Sequence, residues 1–224
     1  MFYDHIEDDL LKKYDFYNYN NAVEVLAYAY PNQWWEICDC LRNLSISIDD
    51  LKEAGGNETN IPKKFDDVLY PYGWREIRMT GDLHLKFYPR RASQRGRFEN
   101  EPYEERIIEG YIDGHNIDFI KDGVAFDLEW NSKDQTFDRD IMAMRSFYEC
   151  GIIGAGVIVT RSEELNDVFK VTIDDTGKPI MRKYGASTTW IGKLTPRLDS
   201  RRNGGCPILA IAIRKECISN RSEV

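Results

Sequence analysis

The chain is short of the residues on which the commonest enzyme chemistries rest. It has three histidines and five cysteines in 224 residues, and no cysteine stands at zinc-ligand spacing with a histidine partner. An odd cysteine count with no disulfide pattern fits a reducing compartment. No G-x-S-x-G elbow, P-loop or G-x-G-x-x-G turn occurs, which removes serine acyl transfer, common nucleotide hydrolysis and Rossmann cofactor binding. No stretch approaches the roughly twenty apolar residues of a membrane span. The first residues, MFYDHIEDDLLKKYD, carry acids where a signal peptide has a basic and then an apolar region. A cytoplasmic protein without membrane attachment is the expectation. Net positive charge is absent too: the formal charge is −8, which gives no long-range pull toward a polyanion. Arginines nonetheless gather in two loops, YPRRASQRGR (Arg90, Arg91, Arg95, Arg97) and KLTPRLDSRRNGG (Arg197, Arg201, Arg202, with Lys193).

What is present is a hairpin with an unusual back. In Gly114 to Asn131, GHNIDFIKDGVAFDLEWN, an Asp-Gly pair separates two alternating apolar runs, the strongest short-range signal for a two-residue turn. With the turn at Asp122-Gly123, Lys121 opposes Val124, Phe119 opposes Phe126 and Asp118 opposes Asp127. Strand side chains alternate faces, so Ile117, Phe119, Val124, Phe126, Leu128 and Trp130 form a core face. The other face carries Asp118, Asp127 and Glu129. Like charges opposed across a strand pair repel, and burial makes an unpaired carboxylate worse. A shared proton, an arginine or a hard divalent cation with oxygen ligands relieves such a cluster; metal-dependent chemistry is the sharper expectation, a solvated acidic face the blander one.

Downstream, Ser132 and Gln135 have the spacing of a capping box, ahead of a helix from Asp134 to Cys150 with Phe137, Ile141, Met144 and Tyr148 at helical spacing. AGVIVT, Ala155 to Thr160, then reads as a buried strand. Strand, helix, strand implies a parallel crossover, and an antiparallel hairpin bearing D…DxE before such a crossover is the core of the PD-(D/E)xK nucleases. The block IDFIKDGVAFDLEWNSKDQTFDRD, with the helix and GVIVT, resembles the BglII-type restriction endonucleases of the BamHI/BglII-like branch.

That resemblance implies an α/β fold: a PD-(D/E)xK restriction-endonuclease-like core, a mixed β-sheet flanked by helices, with a helical N-terminal region. It would occupy one domain, 1–224, with the helical part over 1–60 and the catalytic core over 105–160. It implies a type II endonuclease cleaving double-stranded DNA at a short palindrome with Mg²⁺. The ion would be held by Asp118, Asp127 and the backbone carbonyl of Leu128. Glu129 falls where the general pattern has Lys and this family has Gln. Asp127 is one methylene shorter than the family's usual Glu. Glu109, on an expected helix over Glu104 to Ile112, is the candidate for a further acid. Asn131, Ser132 and Lys133 stand where DNA would be read, and Arg91, Arg97, Arg197, Arg201 and Arg202 are candidates for phosphate contacts. A homodimer is expected, with a cognate DNA methyltransferase in the same system. The alternatives are a repair or recombination nuclease of this fold, and a DNA-binding protein with an inactive site.

Overall fold

The computed structural model describes residues 2–52, 60–91 and 97–219. Arg95, named among the loop arginines, lies outside them. The chain forms two compact units: residues up to Ile77 and from Ile117 onward make one, and Arg78–Asn116 makes the other. In chain order the elements are α1 (Asp8–Lys13), β1 (Tyr14–Tyr19), α2 (Ala22–Ala29), α3 (Pro31–Asn43), β2 (Ile46–Ser47), α4 (Ile48–Lys52), α5 (Asn60–Leu69), β3 (Arg75–Phe87), β4 (Glu104–Lys121), β5 (Val124–Glu129), α6 (Thr136–Glu149), β6 (Ala155–Arg161), α7 (Leu165–Val171), α8 (Ile191–Asp199), β7 (Ile208–Ile213) and β8 (Ile218–Ser219). The main sheet runs β1-β7-β6-β5-β4-β3, and β2 pairs with β8 separately. Pairing is antiparallel for β1/β7, parallel for β7/β6 and β6/β5, and antiparallel for β5/β4. Among the described residues no helix is long and apolar enough to cross a membrane.

The hairpin forms as its sequence dictates. Asp122 and Gly123 both have positive φ, 44° and 87°, as a primed two-residue turn requires. A Cβ on Gly123 would also meet the Tyr30 ring at 2.9 Å, so glycine is needed there twice over. Lys121 pairs with Val124 and Phe119 with Phe126. The turn is tied to α3: Gln33 Nε2 donates to Asp122 Oδ2 at 3.0 Å, Lys121 Nζ to Glu36, and the buried Trp74 indole N–H to the other Glu36 oxygen at 2.8 Å.

The three central strands β5, β6 and β7 are buried along their whole length. Phe126, Leu128, Val157, Val159, Leu209 and Ile211 join a core that α1 to α5 cover. On the opposite face lies α6, close enough that a Cβ on Gly156 would strike Met144 Sδ at 2.5 Å.

Three expectations are corrected. The first sixty residues are not all helical: β1 alternates buried Tyr14 and Phe16 with half-exposed neighbours and pairs with β7, a partner almost two hundred residues away. Glu104 to Ile112 is strand, its β-branched Ile107, Ile108 and Ile112 lying in the extended β4. Ser132 and Gln135 make no capping box. Helix α6 starts at Thr136 without a side-chain cap, because Ser132 to Asp134 are held extended against 187–189: the Ser132 carbonyl accepts the Thr189 N–H, and the Ser187 carbonyl that of Asp134, each at 2.9 Å.

Candidate active site

The β4/β5 ladder stops at Phe119–Phe126, and the two aspartates expected to face each other replace its next rung. Asp127 Oδ1 accepts the backbone N–H of Asp118 at 2.8 Å, and Asp118 Oδ2 accepts that of Leu128 at 3.0 Å. Each strand thus supplies a carboxylate that satisfies the other's amide, which fixes both side chains in orientation. Two residues on, Glu129 takes one Oε2 bond from the Thr136 hydroxyl at 2.9 Å, across the start of α6. Thr160 Oγ1 donates to the Glu129 backbone carbonyl at 2.7 Å, so β6 holds the main chain and α6 the side chain.

A fourth acid, Asp140, reaches the same place from α6. It is 2% exposed, as against 3% for Asp127 and 6% for Glu129, and both Asp127 Oδ2 and Asp140 Oδ2 are buried with no hydrogen-bond donor. Burial first, then the Asp127 and Glu129 charges, push the Asp140 carboxyl up to about 10. Asp127 is raised well above the usual range, by burial and then by Asp118. Asp118 is raised to about 6, chiefly by the protein around it and further by Glu129 and Glu76. Its residue surface still opens to solvent, and water at that mouth limits the rise.

Asp118, Leu128, Glu129 and Ser132 line a cleft of about 400 Å³, together with Pro62, Asp66, Tyr70, Glu76, Phe119 and Arg139. Of the expected residues, Asp118, Asp127, Leu128 and Glu129 come together, with Ser132 beside them. Glu109 is exposed on β4, within the second unit. Asn131 Oδ1 is buried without a partner, and Lys133 is exposed. Arg197 grips Asp138 with two nitrogens at 3.0 Å each, and Arg202 bonds the same carboxylate, so both are engaged on the first turn of α6. Arg91 pairs with Glu99 at 3.2 Å; Arg97 and Arg201 are exposed.

Sequence reading missed Asp140, Arg139, Asp66 and Glu76. Asp140 had a signal: it falls three after Phe137 and four before Met144, an acid inside the apolar stripe of its helix. The others sit on exposed or, for Asp66, half-buried positions that spacing does not distinguish.

Among the described residues no three His, Cys, Asp or Glu side chains form a metal cage on their own. The donor set nonetheless suits a hard divalent cation: carboxylate oxygens of Asp118 and Asp127, one of them buried without a donor, with a backbone carbonyl adjacent at Leu128. A family model, restriction endonuclease BglII/BglIII, matches residues 14–213. No curated protein matches the chain.

Proposed function

From the premise that the chain belongs to the BglII/BglIII restriction endonuclease family, whose members are type II site-specific deoxyribonucleases acting on double-stranded DNA and generally using divalent metal ions, we propose that it cuts a short palindrome by Mg²⁺-dependent phosphodiester hydrolysis at the Asp118–Asp127–Glu129 cluster. The observation that carries this is the crossed pairing of two aspartates with the facing strand's backbone amides, Asp127 with that of Asp118 and Asp118 with that of Leu128, beside a buried oxygen with no donor. Asp118, Asp127 and the Leu128 carbonyl would hold the ion. Bound there, it would polarise a phosphoryl oxygen and lower the pKa of an attacking water.

The protein's own groups do the positioning. Thr136 anchors one oxygen of Glu129, and Glu129 so oriented would position water and accept its proton. The extended Ser132–Asp134 segment, stitched to residues 187–189, offers Asn131, Ser132 and Lys133 to the bases or backbone of DNA entering the cleft. Arg91, Arg97 and Arg201 add phosphate contacts. One such centre cuts one strand, and a symmetric site calls for a two-fold homodimer, which sedimentation on cognate DNA would detect. The cognate methyltransferase acts in the same system without forming a stable complex.

Digestion of a phage genome by the purified protein, in Mg²⁺ and in EDTA, tests the reading. Discrete fragments in Mg²⁺ alone are expected. A smear, or cutting confined to ends or junctions, would overturn it.

A further inference from the structure

The charge of the cleft is unbalanced. Four of its lining side chains are acids, Asp66, Glu76, Asp118 and Glu129, and one, Arg139, is a cation; Asp127 and Asp140 lie buried behind them. A DNA phosphodiester entering this space brings negative charge, and the transition state of its hydrolysis concentrates more on the phosphoryl oxygens. A single divalent ion does not offset the carboxylates, still less the phosphate with them. Arg139 is the cation on hand to do so.

Its placement suits that task. It lies in the first turn of α6, where the helix dipole also favours anions. The side chain is 60% exposed, so it is not committed to the core. Both of its bonding nitrogens reach a single oxygen, Asp140 Oδ1, at 3.3 Å, well beyond the roughly 2.7–2.9 Å of a strong charge-assisted bond. Arg197, on α8, shows the contrast with its two bonds of 3.0 Å to Asp138. A guanidinium held so loosely can turn to a better partner without breaking a strong one, and a phosphate offers that partner in a planar, two-pronged fit.

Resting on the assignment of the Asp118–Asp127–Glu129 cluster as the cleavage site, we propose that Arg139 is a catalytic residue that binds the non-bridging oxygens of the scissile phosphodiester. It donates hydrogen bonds there as attack proceeds, and its pair with Asp140 is a resting position.

The test uses the full-length chain and a DNA fragment carrying one site mapped in the genomic digest. Arg139→Ala should lower the single-turnover cleavage rate at saturating protein by about 10²–10³-fold, with Arg139→Lys between it and the parent. The salt slope of binding in Ca²⁺ should fall by about one. The thermal shift produced by Ca²⁺ should survive in both variants, which shows that fold and ion binding are intact. Adding Asp140→Asn to Arg139→Ala should not restore the rate. Three results would overturn the proposal: a rate within a few-fold of the parent, recovery in the double variant (Arg139 then merely neutralises Asp140), or cutting at new sequences at the old rate (Arg139 then reads a base). Failure of the site itself has a different signature, an Asp127→Asn protein that still cuts.

Discussion

The two faces of β5 and β6 each bury more charge of one sign than the other sign balances, and they manage it differently. On the α6 side, Asp127, Glu129 and Asp140 crowd together with two oxygens lacking any donor. On the other side, Arg161 is 2% exposed, and among the described residues no carboxylate bonds to it. It donates to Asn166 Oδ1 at 3.2 Å and Thr188 Oγ1 at 2.7 Å, and it lies 5.6 Å and 5.5 Å from the centroids of the Phe169 and Tyr184 rings, which stack on each other at 3.8 Å. Burial lowers its pKa to about 10, so it stays charged at neutral pH. The π faces and neutral acceptors spread its charge within the fold, leaving only Nε without a partner. Arg161 is therefore a finished structural element, whereas the acid face is completed only by something from outside. Arg161 also holds Thr188, in the stretch that keeps Ser132–Asp134 extended, so the settled face supports the unsettled one.

The largest difference between the faces should appear at Asp127. Asp127→Asn keeps the oxygen that accepts the Asp118 N–H and removes a buried charge and the proposed metal ligand. Metal Lewis acidity is worth several kcal/mol, so cleavage should fall roughly 10³-fold or more. DNA binding should persist, and the melting temperature in EDTA should be no lower than the parent's. A cleavage assay paired with melts, with and without Mg²⁺, measures both. A variant that still cuts would mean the acids are merely a costly surface.

Much of this acid face was legible because its signals are local. Asp-Gly set the turn, the turn set the register, and the register brought Asp118, Asp127 and Glu129 together. What it could not convey is that side chains would take over the rung between Asp118 and Asp127, since that requires the strands to part. The β1 strand was illegible for the opposite reason: its partner, Ile208–Ile213, is remote in sequence. The stretch from Glu104 to Ile112 was misplaced because acids at a spacing of four suit one helix face and one strand face alike. Arg161 drew no notice, since one arginine ending an apolar strand looks like an ordinary exposed terminus until α7 and Tyr184 cover it.

At Arg161 the expectation is a loss of stability with ion binding spared. Arg161→Ala removes a fully packed side chain and leaves Asn166 and Thr188 without their donor, which should cost about 2–4 kcal/mol. The Ca²⁺-induced thermal shift should remain, because no acid of the site touches Arg161. If the variant melts like the parent, its aromatic and polar contacts are worth nothing and the contrast between the faces collapses.

The finest distinction is in how each face responds to pH. Asp118, Asp127 and Asp140 all have carboxyls raised above their usual range, so the fold holds their protons more tightly than the unfolded chain does. Stability from such groups is fully present below about pH 4, where both states are protonated, and is lost as pH climbs toward the folded value. In EDTA the melting temperature should therefore decline from about pH 4 upward. Asp118 contributes up to about pH 6 and, being open to water, contributes least; Asp140 continues to about 10. Acids with lowered values, such as Asp138 beside Arg197, work the other way, but below pH 4 and equally in every variant. A divalent cation binds the deprotonated carboxylates and should flatten the decline. Asp127→Asn should flatten it too, by a few degrees across pH 5 to 8, since a buried carboxylate no longer ionises. Arg161→Ala should lower the whole curve and leave its slope alone, because Arg161 titrates near 10, above this window. Melts of the three proteins in EDTA separate the possibilities: equal slopes in all three would show that the acids are not strained by one another, and that the two faces bury their charge on the same terms.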